Sequence, residues 1–229
     1  MIDHVHDLAS VREATERLLS AAGKLDDAAL AEPSRLPGWT RGHVLAHLAR
    51  NADALVNVLE GRPMYASGEA RDADITRDAP RPLAVQLADV RESAARFQAT
   101  ADAPADWGRT VTLRNGVTDR AARVPFRRLI EVELHHVDLG VGYELEDLPA
   151  DFTAREIEFL ADRFAGHPGL PAVTLTATDG RQWHTGRPDA GPVGVTGGAP
   201  ALLAWLAGRG ARGADLDTAG APLPALPPL

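Results

Sequence analysis

The segment His43-Val-Leu-Ala-His47-Leu-Ala-Arg-Asn51-Ala-Asp53 and, much further along the chain, Glu131-Val-Glu-Leu-His135-His136-Val-Asp138 each carry imidazoles at helical spacing. Residues four apart on a helix lie one above the other, so Glu131 and His135 can converge on one ion while a histidine from a facing helix completes the set. Two His and one Glu hold zinc and leave its fourth position open, and an ion with an open position polarises a substrate or activates a thiol or water. On a helical projection His47 lies nearer the apolar face of its segment and His43 further toward solvent, which makes His47 the preferred ligand. In the later segment Glu131, His135 and Asp138 share one stripe, Glu133 and His136 another, and periodicity does not say which faces inward. Asp138 and Asn51 are each placed to orient a ligand from behind it. The earlier helix offers only Asp53 and Glu60 as acids, too few for a di-iron carboxylate site, so a mononuclear centre is expected. His4, His6, His167 and His184 carry no ligand pattern.

Such ligands must be brought together by helices. Val5, Leu8, Val11, Leu18 and Leu19 space a first amphipathic helix over residues 3–23. Thr40 is a suitable N-cap for a second helix to about Glu60, with Leu45, Leu48, Ala52, Leu55, Val56 and Leu59 on one face. Pro82 opens a third, striped by Leu83, Leu87, Val90, Ala94 and Phe97, with Val85 off the stripe. Pro125 opens a fourth, stopped by Gly140. Residues 61–80 show no strong pattern, and 104–120 read as a short hairpin or an irregular loop around Asn115-Gly116. Four helices of this kind make a four-helix bundle, whose interior is a common place for metal sites. The second part of the chain reads differently. A helix near 152–165 precedes Val173-Thr-Leu-Thr-Ala-Thr and Gln182-Trp-His-Thr, which flank the turn Asp179-Gly180 as a hairpin. Pro192-Val-Gly-Val reads as a further strand, 199–208 as a short helix, and the proline-rich end as extended chain. The expected organisation is a bundle over 1–145 and a smaller α+β domain over 146–229.

Composition narrows the partners. At 229 residues with 45% hydrophobic residues the chain has ample material for a core, and its net charge of −8 without a Lys/Arg run argues against nucleic acid. No apolar stretch is long enough for a bilayer and no signal peptide is visible, so a cytoplasmic protein acting on small molecules is expected. The sequence leaves the oligomeric state open, a monomer being compatible with it. With no cysteine, any thiol chemistry must import its thiol, and with Lys24 the single lysine, a Schiff base is improbable.

Leu36-Pro-Gly-Trp-Thr-Arg-Gly-His-Val-Leu-Ala-His-Leu-Ala-Arg-Asn-Ala-Asp, Glu131-Val-Glu-Leu-His-His-Val-Asp-Leu, Val195-Thr-Gly-Gly and Trp205-Leu-Ala-Gly-Arg together resemble the mycothiol-dependent maleylpyruvate isomerases over nearly the whole chain. The resemblance implies an N-terminal DinB-like bundle, a smaller α+β C-terminal domain, and zinc on His47, Glu131 and His135, the residues that spacing favours. It places the family's C-terminal arginine, used for cofactor or substrate, on Arg209. It also implies mycothiol, a low-molecular-weight thiol, as cofactor, and the cis-to-trans conversion of maleylpyruvate to fumarylpyruvate by reversible thiolate addition. The alternatives are a mycothiol S-transferase acting on another electrophile, and a non-catalytic module that binds a small molecule.

Overall fold

The computed structural model describes residues 2–103, 105–188, 191–210 and 213–228, and the chain divides into two compact units, one up to Tyr143 and one from Glu144. The first contains helices α1 (His4–Ala22), α2 (Asp27–Ala31), α3 (Arg41–Leu59), α4 (Gly68–Asp78), α5 (Leu83–Asp102) and α6 (Val124–Asp138), with a hairpin of β1 (Thr110–Thr112) and β2 (Thr118–Arg120) before α6. The second contains α7 (Ala150–Phe164), β3 (Val173–Ala177), β4 (Gln182–Thr185), β5 (Val193–Gly197) and α8 (Ala199–Leu206).

The four long helices α1, α3, α5 and α6 close into a ring in which each packs on two others: α3 on α5 and α6, α1 on α6 and α5. This is the expected bundle. Its core is made by the predicted stripes: Leu8, Val11 and Leu18 of α1, Leu45, Leu48, Ala52 and Leu55 of α3, and Val90, Ala94 and Phe97 of α5 are all buried. Each large apolar side chain so buried contributes about 1.5–3 kcal/mol. Val5, expected on the stripe of α1, is 67% exposed; it lies in the first turn, beyond the reach of the facing helices.

Local chemistry sets the helix ends. Thr40 caps α3 as expected: its Oγ1 accepts from the His43 amide at 3.3 Å, and the His43 ring accepts the Thr40 amide through Nδ1 at 3.2 Å. His43 is thereby consumed as a capping residue. Pro82 has no side chain to cap α5, and Asp27 of α2 accepts the Leu83 amide instead at 2.7 Å. Pro125 sits in the first turn of α6, and Gly140, at φ 66°, ends it in the left-handed conformation.

Helix α4 falls in the stretch that hydrophobic periodicity leaves blank, because Ile75 and Asp78 are its only buried residues. It begins at Ser67, whose Oγ accepts the Ala70 amide at 3.1 Å, and charge holds it against α3. Asp78, 3% exposed, pairs with Arg77 at 2.8 Å and with Arg50 and Arg81 at 3.6 Å. Gly42 of α3 sits directly against the Ala79 carbonyl, where a Cβ would collide with backbone. Residues 110–120 form a hairpin, in register Thr110 to Arg120, and its turn is made by Asn115 and Gly116 at φ 59° and 73°.

In the second unit, β3 is the central strand, antiparallel to β4 and parallel to β5. Val173, Leu175 and Ala177 alternate into its core with Ile157, Leu160 and Phe164 of α7 and Leu202 and Leu203 of α8. No helix among the described residues is long and apolar enough to cross a membrane.

Candidate metal centre

Where α3 and α6 face one another, His47 from the first and Glu131 and His135 from the second meet. One atom of each lies within 4.8 Å of the other two. His47 Nε2 is 2.8 Å and His135 Nε2 3.2 Å from the same oxygen, Glu131 Oε2, and the two imidazoles stand edge to face with centroids 4.6 Å apart. His47 and His135 are 5% and 9% exposed, while the Glu131 side chain is 32% exposed, so the group is open on the carboxylate side.

The neighbours prepare the donors. His135 Nδ1 lies 2.8 Å from Asp138 Oδ2. A carboxylate only accepts, so Nδ1 carries the proton and Nε2 turns toward Glu131, the carboxylate–histidine arrangement that metal sites use to fix a ring. Of the two residues offered by spacing as ligand support, Asp138 therefore takes the role. Asn51 instead accepts from Arg128 Nη1 at 2.8 Å. Arg128 is fully buried behind the site and also donates to the Leu48 carbonyl at 2.9 Å.

The surroundings set a different protonation state at each donor. Burial draws His47 down to about 4, only partly offset by Glu131, so this imidazole is neutral at physiological pH. Burial would raise the Glu131 carboxyl, but the charge of His47 and the hydrogen bonds from both imidazoles hold it well below the usual carboxylate range. His135 is pushed down by burial and, more strongly, up by Asp138 and Glu131, with a net rise. Two nitrogen donors and one carboxylate at these separations fit zinc with a position to spare.

Two contributors have no sequence signal of their own. Arg71 of α4 brings Nη2 to 3.2 Å from His47 Nδ1, and Tyr65, just before α4, lies under the same guanidinium with its ring centroid 5.9 Å from Cζ. Because arginine only donates, His47 Nδ1 accepts and its Nε2 holds the proton toward Glu131. The indole of Trp39, from the Leu36-Pro-Gly-Trp motif, packs on His47 at 5.5 Å between centroids. A polar helix with one buried apolar residue gives periodicity nothing to find; the Ser67 cap is its only advance sign.

The other α6 stripe is buried as well. Glu133 and His136 are 1% and 2% exposed on the side of α1. Glu133 accepts from Arg17 at 2.5 Å and from the Tyr143 hydroxyl at 2.9 Å, and His136 stacks on the Tyr143 ring at 3.9 Å. Arg209 follows α8 in the second unit, half-buried; its amide donates to the Ala204 carbonyl and its Nη1 to that of Ala207, at 2.8 and 2.9 Å.

A helical bundle bearing a His₂Glu group between two helices, followed by a smaller sheet-bearing unit, defines a two-unit protein with a bundle of the kind that can house a metal ion. Residues 11–140 match the family model described as the mycothiol maleylpyruvate isomerase N-terminal domain, and residues 147–228 match the C-terminal domain model of the same family. The chain belongs to the mycothiol maleylpyruvate isomerase family. Among solved structures it is similar to a mycothiol-dependent maleylpyruvate isomerase, with TM-score 0.87 and 26% identity over 97% of this chain and 96% of that one. A histidine-to-alanine mutant described by the same name is similar at 25% identity, with the same TM-score and coverage. No curated protein sequence matches significantly.

Proposed function

We propose that this protein is a zinc- and mycothiol-dependent isomerase that converts maleylpyruvate to fumarylpyruvate. The observation that carries the reading is the His47–Glu131–His135 group within a chain that matches both family domains end to end.

A double bond does not rotate at useful rates, and a bound thiol supplies a nucleophile that adds to the conjugated bond, leaves a single bond free to rotate, and departs. Zinc supplies Lewis acidity, lowering the pKa of a neighbouring thiol or polarising the keto-enol oxygens of the substrate. The chain's own residues provide the setting. His47 and His135 would serve as nitrogen donors once Nε2 of each ring has given up its proton, Glu131 contributes the one negative charge among the donors, and Asp138 keeps the His135 ring from turning. If His47 held an ion through Nε2, its remaining proton would sit on Nδ1, and the Arg71 guanidinium, which now donates to Nδ1, would have to turn away. With no cysteine in the chain, no protein thiol competes with the external thiol. We assign Arg209 to binding the thiol or a substrate carboxylate, a role its fork of donors suits. A cytoplasmic location accords with the absence of disulfides and with a small-molecule thiol partner.

The test follows maleylpyruvate absorbance with zinc-loaded protein, with and without mycothiol. Turnover that requires mycothiol is the expected result. A protein that holds stoichiometric zinc but leaves maleylpyruvate untouched overturns the substrate assignment and favours thiol transfer to another electrophile.

A further inference from the structure

The first unit contains a cleft of about 580 Å³ between the end of α3, the segment through Tyr65 to Gly68, and the β1–β2 hairpin. Its volume is in the range of small-molecule sites. The walls combine apolar side chains such as Val58, Met64 and Leu113 with three arginines, Arg62, Arg109 and Arg114, and among the described residues no aspartate or glutamate lines it. In a chain of net charge −8, this is a local reversal of sign.

Two of the three guanidiniums are already engaged. Arg62 pairs with Glu60 and donates to Asn57 Oδ1 at 2.7 Å, while Arg109 donates to the Leu59 carbonyl and closes the end of α3. Arg114 is different: among the described residues its guanidinium makes no hydrogen bond or ion pair, and it is exposed in the hairpin turn. The left-handed conformation of Asn115 and Gly116 holds that turn in place beside the cleft.

Tyr65 joins the cleft to the triad. It lines the cleft, lies under Arg71, which reaches His47, and is close enough to both Arg114 and Glu131 to feel their charges. Burial raises its phenol, which therefore stays protonated and able to donate.

We propose that this cleft is the acceptor subsite, that it takes a carboxylate-bearing electrophile, and that Arg114 grips the carboxylate while the reactive part extends past Tyr65 toward the metal triad. The inference rests on the isomerase reading for the identity of the acceptor, since maleylpyruvate carries two carboxylates. It does not rest on that reading for the chemistry: an uncompensated guanidinium in an acid-free cleft selects an anion, and carboxylate is the group its fork fits.

The experiment uses the full-length zinc-loaded protein and maleate, a stable cis-dicarboxylate, titrated by calorimetry into wild type, Arg114→Gln, Arg114→Lys and the exposed helix variant Arg12→Gln. The expected result is that Arg114→Gln weakens maleate about tenfold or more, Arg114→Lys recovers part of the loss, and Arg12→Gln has no effect. With maleylpyruvate, Arg114→Gln should raise KM by a similar factor while kcat stays within about twofold and zinc content and helical signal are unchanged. Maleate binding that is absent in wild type, or equal in wild type and Arg114→Gln as when the dicarboxylate sits on the metal alone, overturns the proposal. Arg114-dependent maleate binding in a protein that fails to isomerise maleylpyruvate sinks the isomerase reading and leaves the subsite standing for another carboxylate electrophile.

Discussion

At the scale of single residues, the triad is held by groups that each leave a distinct signature when removed. His47→Ala and His135→Ala should each lose zinc, measured as metal content after dialysis, with the helical spectrum intact; metal retained in either removes that residue from the site. Asp138→Asn keeps all three donors but frees the His135 ring, and its zinc affinity should fall about 10–100-fold. Arg71→Met should act in the opposite sense. It removes a cation beside the site and releases Nδ1 of His47, so competition with a chelating dye should show zinc held at least as tightly as in wild type. Weaker binding there would mean that Arg71 supports the site. Four-residue spacing in the sequence singled out the residues that the structure brings together, yet could not choose between the stripes of α6. The structure shows why: α6 lies between α1 and α3 and is buried on both sides, so Glu131, His135 and Asp138 face the metal group while Glu133 and His136 are equally enclosed on the other side.

At the scale of elements, the helices with apolar stripes were legible and α4 was not, because its attachment is electrostatic. Asp78 carries that attachment. Burial would raise its carboxyl, but Arg77, Arg81 and Arg50 outweigh burial and hold it below its ordinary 3.8. A carboxylate with a lowered folded pKa stabilises the fold above its unfolded pKa, and the stabilisation fades as pH falls through the folded value. Asp78→Asn should therefore lower Tm at neutral pH, by an amount equivalent to about 2 kcal/mol since its partners are partly solvated. The gap to wild type should close as the melts are taken below pH 3.8; a gap independent of pH would assign the loss to packing. Glu133 has the reverse sign. Burial raises it more than Arg17 and Tyr143 lower it, so its ionisation costs stability as pH rises beyond the ordinary 4.5. Glu133→Gln should melt at or above wild type at pH 7, and a clear drop would show the Arg17 pair to be net stabilising. Gly42 belongs to this scale too. Gly42→Val would force α3 away from the Ala79 carbonyl and displace α4, so zinc should survive better than turnover, measured side by side on the same preparation.

At the scale of the whole molecule, the alternating strands that follow α7 mark the sheet-bearing unit, which begins at Glu144, ahead of that helix. On the proposed reading the chemistry would be divided likewise, with the candidate metal donors in the first unit and Arg209 in the second. Arg209→Ala should keep its zinc and its melting temperature while losing mycothiol-dependent turnover; unchanged kinetics would return Arg209 to the local role that its bonds to Ala204 and Ala207 already describe. The hairpin β1–β2 belongs to the first unit, where Val111 and Leu113 are buried and Asp119 pairs with Arg127 at 2.7 Å. Its strands are three residues long and pair only with each other, and none of the three metal donors lies in it. On the proposed reading, substrate range would rest on the exposed turn around Arg114 and metal retention on α3 and α6, in separate stretches of the chain. A library confined to the exposed residues 114–117 would explore new acceptors while leaving the buried hairpin residues and the helices of the triad unchanged.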